Sequence, residues 1–333
     1  MKKVVWGVLS TARIGIDQVL PSMQASPLIE LRGIASRSLA AARAAAQALG
    51  IPRAYGSYEE LLADPEIEAI YNPLPNNLHV PLTLKAAAAG KHVLCEKPIA
   101  LSAEEARALL AASRTVCIEE AFMVRHHPQW QRARELVRAG RIGTPRAVQV
   151  FFSYFNDDPA NIRNRADIGG GALYDIGCYA ILAGRYLFEA EPRRVVALVD
   201  RDPAMATDRT TSALLDFGDG RQAGFTVSTQ SCPFQRVQVV GTTGRIELRI
   251  PFNAPRGGAM AIAIDEGGAL DGSSIQVETL PAADQYQLEA EAFSLLLRGE
   301  AAASWGLEDA LAQLRVIDAL WRSEQSARWE AVG

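Results

Sequence analysis

A chain of 333 residues is too long for one ordinary core and predicts about two domains of ~100 to 200 residues each, with a cleft as the consequence. A composition of 49% hydrophobic, 22% charged and 7% aromatic residues is that of a globular protein and excludes a disordered or fibrous one. A formal net charge of -4 without a basic run argues against nucleic acid as a partner, and no stretch approaches the ~18 uninterrupted apolar residues of a membrane span.

Cys95, Cys117, Cys178 and Cys232 lie far apart with no C-x-x-C spacing, which predicts buried reduced thiols and no metal site or disulfide framework. The apolar run after Met1-Lys2-Lys3 is too short for a signal peptide and reads as a first strand, so the expected location is cytoplasmic.

Val4 to Leu9 predicts a strand buried on both faces, turning through Ser10-Thr11-Ala12-Arg13-Ile14-Gly15 into a helix that runs to Met23. The G-x-G-x-x-G spacing of a dinucleotide loop is filled by Ser10, Ala12 and Gly15, all small enough for backbone amides to approach a pyrophosphate. Leu28 to Ala35 predicts the second strand. An acid at its end would hold the ribose 2′-hydroxyl of NAD, whereas Ser36 and Arg37 suit the 2′-phosphate of NADP. The bland alternative for Arg37 is a solvated residue at a helix start.

The alternation continues with a helix over Leu39 to Leu49, a short helix over Ser57 to Leu62, and a strand over Ile67 to Asn72 ending near Leu74-Pro75. A helix over Asn77 to Ala89, a strand over His92 to Cys95, a helix started by Ser102 and Glu105 at capping-box spacing, and a strand over Thr115 to Ile118 follow. Residues 1–120 are therefore expected to be a doubly wound parallel Rossmann domain, in which ligands bind beyond the carboxyl ends of the strands. Lys97 sits at such an end in Lys91 to Ala100, and Pro98 restricts how the residue before it can run.

From 121 to 333 the pattern predicts an α+β domain for substrate binding and oligomerisation. Helices are expected over Pro128 to Ala139, Ala283 to Leu297 and Leu307 to Gln325. Strands over Arg146 to Tyr154, Arg193 to Val199, Thr210 to Phe217, Gln222 to Thr229, Gln235 to Val240 and Arg245 to Ile250 are expected to form a large, mostly antiparallel open sheet. Gly169-Gly170-Gly171 precede a helix on which Asp175 and Tyr179, four apart, share a face. This is either acid–base equipment or a capped helix with a core tyrosine.

The stretches PNNLHVPLTLKAAAAGKHVLCEKP and GGGALYDIGCY resemble the glucose-fructose oxidoreductase, inositol dehydrogenase and rhizopine-catabolism family of NAD(P)-dependent oxidoreductases. Tyr179 and the segments around Arg125 and Arg163 are most similar to the branch with aldose 1-dehydrogenases and dimeric dihydrodiol dehydrogenases. The resemblance implies that Lys97, Asp175 and Tyr179 are catalytic. Asn76 and His79 would approach the cofactor, NADP with NAD possible, beside Ser10 to Ile14, Ser36, Arg37, Leu74 and Pro75. Glu96 either binds the cofactor ribose or anchors its turn. Arg125, His127, Asn161 and Arg163 would line a cleft for a sugar or vicinal diol.

In the implied mechanism Tyr179 takes the hydroxyl proton. Lowering a tyrosine from ~10 to ~7 takes about 4 kcal/mol, roughly what one ammonium at ~4 Å supplies at an effective dielectric of ~20. The resemblance also implies a homodimer or dimer of dimers, since related proteins bury the broad face of this open sheet in dimers. Two other classes share this architecture: a dinucleotide-binding regulator without catalysis, and a redox-assisted glycosidase or lyase that keeps its cofactor bound.

Overall fold

The computed structural model describes residues 2–302 and 305–333, and the chain clusters into two compact units, Met1–Met123 with Gln285–Leu311 and Val124–Asp284 with Ala312–Gly333. In the first, β1 (Val4–Leu9), β2 (Ile29–Ala35), β3 (Arg53–Tyr55), β4 (Ala69–Asn72), β5 (His92–Glu96) and β6 (Ile118–Ala121) pair in parallel in the order β3-β2-β1-β4-β5-β6. All six residues of β1 are buried, as a central strand covered on both faces requires. The crossovers carry a π-helical turn over Gly15–Val19 leading into α1 (Leu20–Gln24), then α2 (Leu39–Leu49), α3 (Tyr58–Leu62), α4 (His79–Ala88) and α5 (Ala103–Ala112). Ser38, Ser57 and Ser102 start α2, α3 and α5 by accepting the amides of Ala41, Glu60 and Glu105 at 3.1–3.3 Å.

Two strands depart from the sequence pattern. β3 spans three half-buried residues, Arg-Ala-Tyr, with no apolar run to announce it. β6 lies at Ile118–Ala121, where Thr115 to Ile118 was expected, because Glu120 is buried and its carboxylate accepts the Ile99 amide at 2.8 Å. An acidic pair hid a strand.

The second unit opens with α6 (Pro128–Arg138) and β7 (Pro145–Phe155). A π-helical turn over Leu173–Gly177 then leads into α7 (Cys178–Phe188), followed by β8 (Arg194–Arg201), β9 (Asp208–Gly218), β10 (Arg221–Ser228), β11 (Gln230–Gly241), β12 (Arg245–Leu248), β13 (Gly258–Asp265) and β14 (Ile275–Ala283). The chain ends with α8 (Gln285–Leu297), α9 (Leu307–Ser326) and β15 (Glu330–Ala331). The nine-stranded sheet runs β14-β13-β12-β11-β7-β10-β9-β8-β15 and is antiparallel but for β7 with β10, where Gln222 to Ser228 lie opposite Ala147 to Ser153. Val148, Val150 and Phe152 of β7 face inward, alternating with Gln149 and Phe151 outward. Every residue of α7 is buried. The edge strands β14 and β15, and β13 beside β14, were not evident in the sequence.

The boundary near residue 120 needs one correction. α8, expected in the second domain, clusters with the first: Phe293 packs at a tilt on Trp6, ring centres 5.5 Å apart, within the first core, and Arg298 bonds Glu68 at 2.9 Å and the Lys3 carbonyl at 2.7 Å.

Candidate active site

At the carboxyl edge of the six-stranded sheet, the strand register places the ends of β1 and β2 side by side at Leu9 and Ala35, and those of β4 and β5 at Asn72 and Cys95. Ser10, Ser36, Leu74, Glu96 and Lys97 thus share one edge. The Ser10 amide donates to the Ala35 carbonyl at 2.9 Å, and Ser10 holds φ at +105°, a conformation natural to glycine. The loop therefore keeps the turn of a glycine fingerprint with a serine in it. Thr11, Ala12 and Ile14 are partly exposed, and Arg13 is open to solvent beside Asp17 at 3.5 Å.

Arg37 is exposed, next to the half-buried Tyr58 phenol, whose pKa burial raises and the guanidinium lowers. A glycine-like turn, a helix start behind it and a cation where an acid would hold a free 2′-hydroxyl are a fit for a phosphorylated dinucleotide. Residues Ser10 to Ile14, Ser36 and Arg37 would hold it.

The loops after β4 and β5 are tied together by His79. Its Nδ1 lies 2.7 Å from the Pro98 carbonyl oxygen and its Nε2 2.6 Å from that of Leu74. The ring is 0% exposed, and burial brings its pKa down to about 4 against the pull of both carbonyls. This corrects the expectation of a direct cofactor contact: a fully enclosed ring reaches a ligand only through the loops it joins. Pro75 leads the short turn Asn76–Leu78, where Asn76 is partly exposed. Glu96 accepts the phenol proton of buried Tyr71 at 2.6 Å, which anchors the residue before Lys97. Burial, then the Glu96 charge, raises the Tyr71 pKa well above 10, so it stays a donor. Lys97 is half-buried.

In the second unit Asp175 lies within the π-helical turn and Tyr179 in α7, so the expected α-helical spacing is replaced by the wider i→i+5 geometry. The Asp175 Oδ2 accepts the Tyr154 hydroxyl at 2.6 Å and the Arg163 Nε at 3.1 Å. The Asp175 charge is the largest influence on Arg163 and raises its pKa, with Tyr179 adding to the shift. Burial, followed by Asp175, raises that of Tyr154. A salt-bridged carboxylate, a guanidinium and two phenols thus form one electrostatic group. The Tyr179 ring, 6% exposed, packs on Phe252 at 5.4 Å and Phe152 at 6.1 Å.

The glycine run explains how Arg163 reaches Asp175. Gly170 and Gly171 donate to the carbonyls of Arg165 and Arg163 at 2.9 and 2.8 Å, and a Cβ at Gly170 would come within 2.7 Å of both oxygens. The backbone of the arginine loop is clamped by glycines and its side chain by Asp175. Asn161 stays in the loop, accepting the Arg163 amide at 3.0 Å. Arg125 is buried in the turn Met123–His126 before α6.

His127 departs from its expected substrate role. It is 0% exposed and caps α6, its Nδ1 accepting the Gln129 amide at 3.1 Å. Tyr154 belongs to no motif in the sequence, although its parity with Val148, Val150 and Phe152 on β7 marks it as inward-facing.

Residues 4–117 match the oxidoreductase family with NAD-binding Rossmann fold, GFO/IDH/MocA, and residues 130–247 its C-terminal domain. The chain is 47% identical to an uncharacterized oxidoreductase of Rhizobium meliloti over 334 residues, covering 100% of both. It is 39% identical to a D-xylose 1-dehydrogenase (NADP(+)) of Haloferax volcanii, over 97% of this chain and 98% of the relative. The crystal structure of KijD10, a 3-ketoreductase from Actinomadura kijaniata in complex with NADP and TDP-benzene, superposes with a TM-score of 0.90 at 31% identity, covering 97% of this chain and 98% of that one.

Proposed function

The chain belongs to the GFO/IDH/MocA family of oxidoreductases, and on that premise we propose that it is an NADP-dependent dehydrogenase of aldoses or vicinal diols. That it is an oxidoreductase acting with NAD(P) on sugars or diols follows from the family and its relatives; cofactor preference, substrate and residue roles are the proposal. What carries it is Asp175, bonded through one oxygen to Tyr154 and Arg163, a turn before Tyr179.

When bound, the nicotinamide supplies the hydride acceptor or donor. Tyr179 takes the proton of the substrate hydroxyl in oxidation and returns it in carbonyl reduction. Asp175, fixed by its two donors, orients the hydroxyl or the phenol. Lys97 supplies positive charge to the developing oxyanion, while Arg37 and Ser36 select the 2′-phosphate. Arg125, Asn161 and Arg163 are assigned to substrate binding. We place the protein in the cytoplasm, with its four cysteines as thiols.

The outer face of the nine-stranded sheet carries Leu198 (76% exposed), Leu214, Phe234 and Phe151 around a groove of about 660 Å³. A second copy of the chain is the proposed cover, since an apolar open face of this kind suits an isologous dimer.

The test is a panel of aldoses, ketoses and vicinal diols with NADP⁺ and NAD⁺, followed at the reduced-nicotinamide absorbance band. Accumulation with NADP⁺, at least ~tenfold preferred in kcat/KM (about 1.4 kcal/mol), is expected. Tight NADP binding without turnover on any member would overturn the catalytic assignment.

A further inference from the structure

We propose that Asp208 is a positioning residue for the reaction: its buried carboxylate fastens the start of the helical segment that carries Asp175 and Tyr179. The proposal rests on the catalytic roles assigned above to those two residues.

Asp208 opens β9, is 1% exposed, and uses Oδ2 to accept the Leu173 amide at 2.7 Å and the Thr211 hydroxyl at 2.9 Å. Leu173 is the first residue of the π-helical turn, so a negative charge meets one of the amides that a helix start leaves without an internal partner. Gly171 makes room for it. There φ is +117°, and a Cβ would stand 1.8 Å from the Asp208 Oδ1, so no side chain fits between backbone and carboxylate.

The contact is relayed through the backbone. The Gly171 carbonyl accepts the Asp175 amide at 3.0 Å, and the Gly171 amide donates to the carbonyl of Arg163, whose side chain bonds Asp175. Moving the Asp208 carboxylate therefore moves both ends of the Arg163–Asp175 pair. Burial raises its carboxyl to about 7, opposed by the bonds from Leu173 and Thr211 and by the charge of Arg201.

The experiment pairs amide hydrogen exchange with steady-state kinetics for Asp208→Ala, Asp208→Asn and Thr211→Val, using D-xylose and NADP⁺ as probes. In Asp208→Ala, exchange over 171–179 should rise by ~tenfold or more while α6 is unchanged, as loss of a charge-assisted bond predicts. Its kcat should fall by a similar factor with KM within about twofold. Asp208→Asn, whose amide oxygen still accepts from Leu173, should recover part of both losses. Thr211→Val removes a single bond and should act in the same direction even if Asp208→Ala does not fold. Unchanged exchange over 171–179, equal loosening of α6, or a raised KM at constant kcat would overturn the proposal. If the wild type turns over no sugar, the functional assignment fails, while the exchange data still decide whether Asp208 holds the segment.

Discussion

Two donors meet on one oxygen of Asp175, and this decides what each substitution in the group does. Tyr154→Phe removes the shorter bond but leaves Arg163 in place. A hydrogen bond to a charged acceptor contributes about 1.5 kcal/mol or more to stability, so the Tm should fall by a few degrees, and kcat should fall roughly tenfold because Asp175 loses one of the two donors that orient it. Tyr179→Phe and Lys97→Met should each reduce kcat by ~10² to 10⁴ while NADP binding, measured by fluorescence titration, persists. Turnover within a few-fold of wild type for either would remove that residue from the mechanism. Ser10 carries a different cost, because a serine at φ +105° stores ~1–3 kcal/mol of backbone strain. Ser10→Gly should therefore raise the unfolding free energy by about 1 kcal/mol in urea titrations, glycine's greater chain entropy offsetting part of the gain. Ser10→Ala, which keeps the strain, should not.

Elements with a strong period were legible in the sequence, and those whose residues serve another purpose were not. β1 and α2 announced themselves by composition, one as a β-branched apolar run and the other as an alanine-rich stretch closed by Gly50. β6 did not, since Glu120 spends its carboxylate on the loop beyond Lys97. His79 and His127 lie in motifs that resemble those of a family and imply ligand contacts that the fold does not make. Their enclosure depends on carbonyls and amides brought close by loops, which no local pattern encodes. The role of Tyr154 was within reach of simple strand parity.

The short β3 is held by chemistry that can be titrated. Tyr55 and Arg53 on β3 bond the carboxylate of Asp64 after α3, and the Glu66 amide adds a bond at 2.9 Å. Burial alone would raise the Asp64 pKa, but the bonds from Tyr55, Glu66 and Arg53 outweigh it and bring the carboxyl to about 2. A folded pKa below the unfolded value of ~3.9 means that the contribution, about 2 kcal/mol, is fully present above pH ~4 and is lost as pH falls through 2. Asp64→Asn should thus destabilise the protein by about that amount at pH 7, and the difference from wild type should shrink by pH 3. A constant difference between those pH values would contradict the assignment.

For the whole molecule, the open face of the second domain predicts association. Leu198→Glu with Leu214→Glu places two charges among Phe151, Phe234 and the adjoining groove. If a second copy covers that face, light scattering should show the wild-type dimer giving way to monomer, with each domain's fold retained by circular dichroism. An unchanged mass would put the interface elsewhere.

The return of α8 to the first domain has a consequence for how the chain is made. A ribosome that has delivered residues 1–123 has delivered all six parallel strands but not Phe293, which covers Trp6, nor Arg298, which closes on Glu68 and Lys3. The cofactor domain cannot complete its core until some 170 further residues, with β7 to β14 of the second sheet among them, have emerged, at ~5 to 20 residues per second. For that interval the nascent chain carries an unfinished apolar face. The second domain, continuous from Val124 to Asp284, has most of its chain available first, and a fragment ending at Met123 should expose that face and aggregate where the full chain does not.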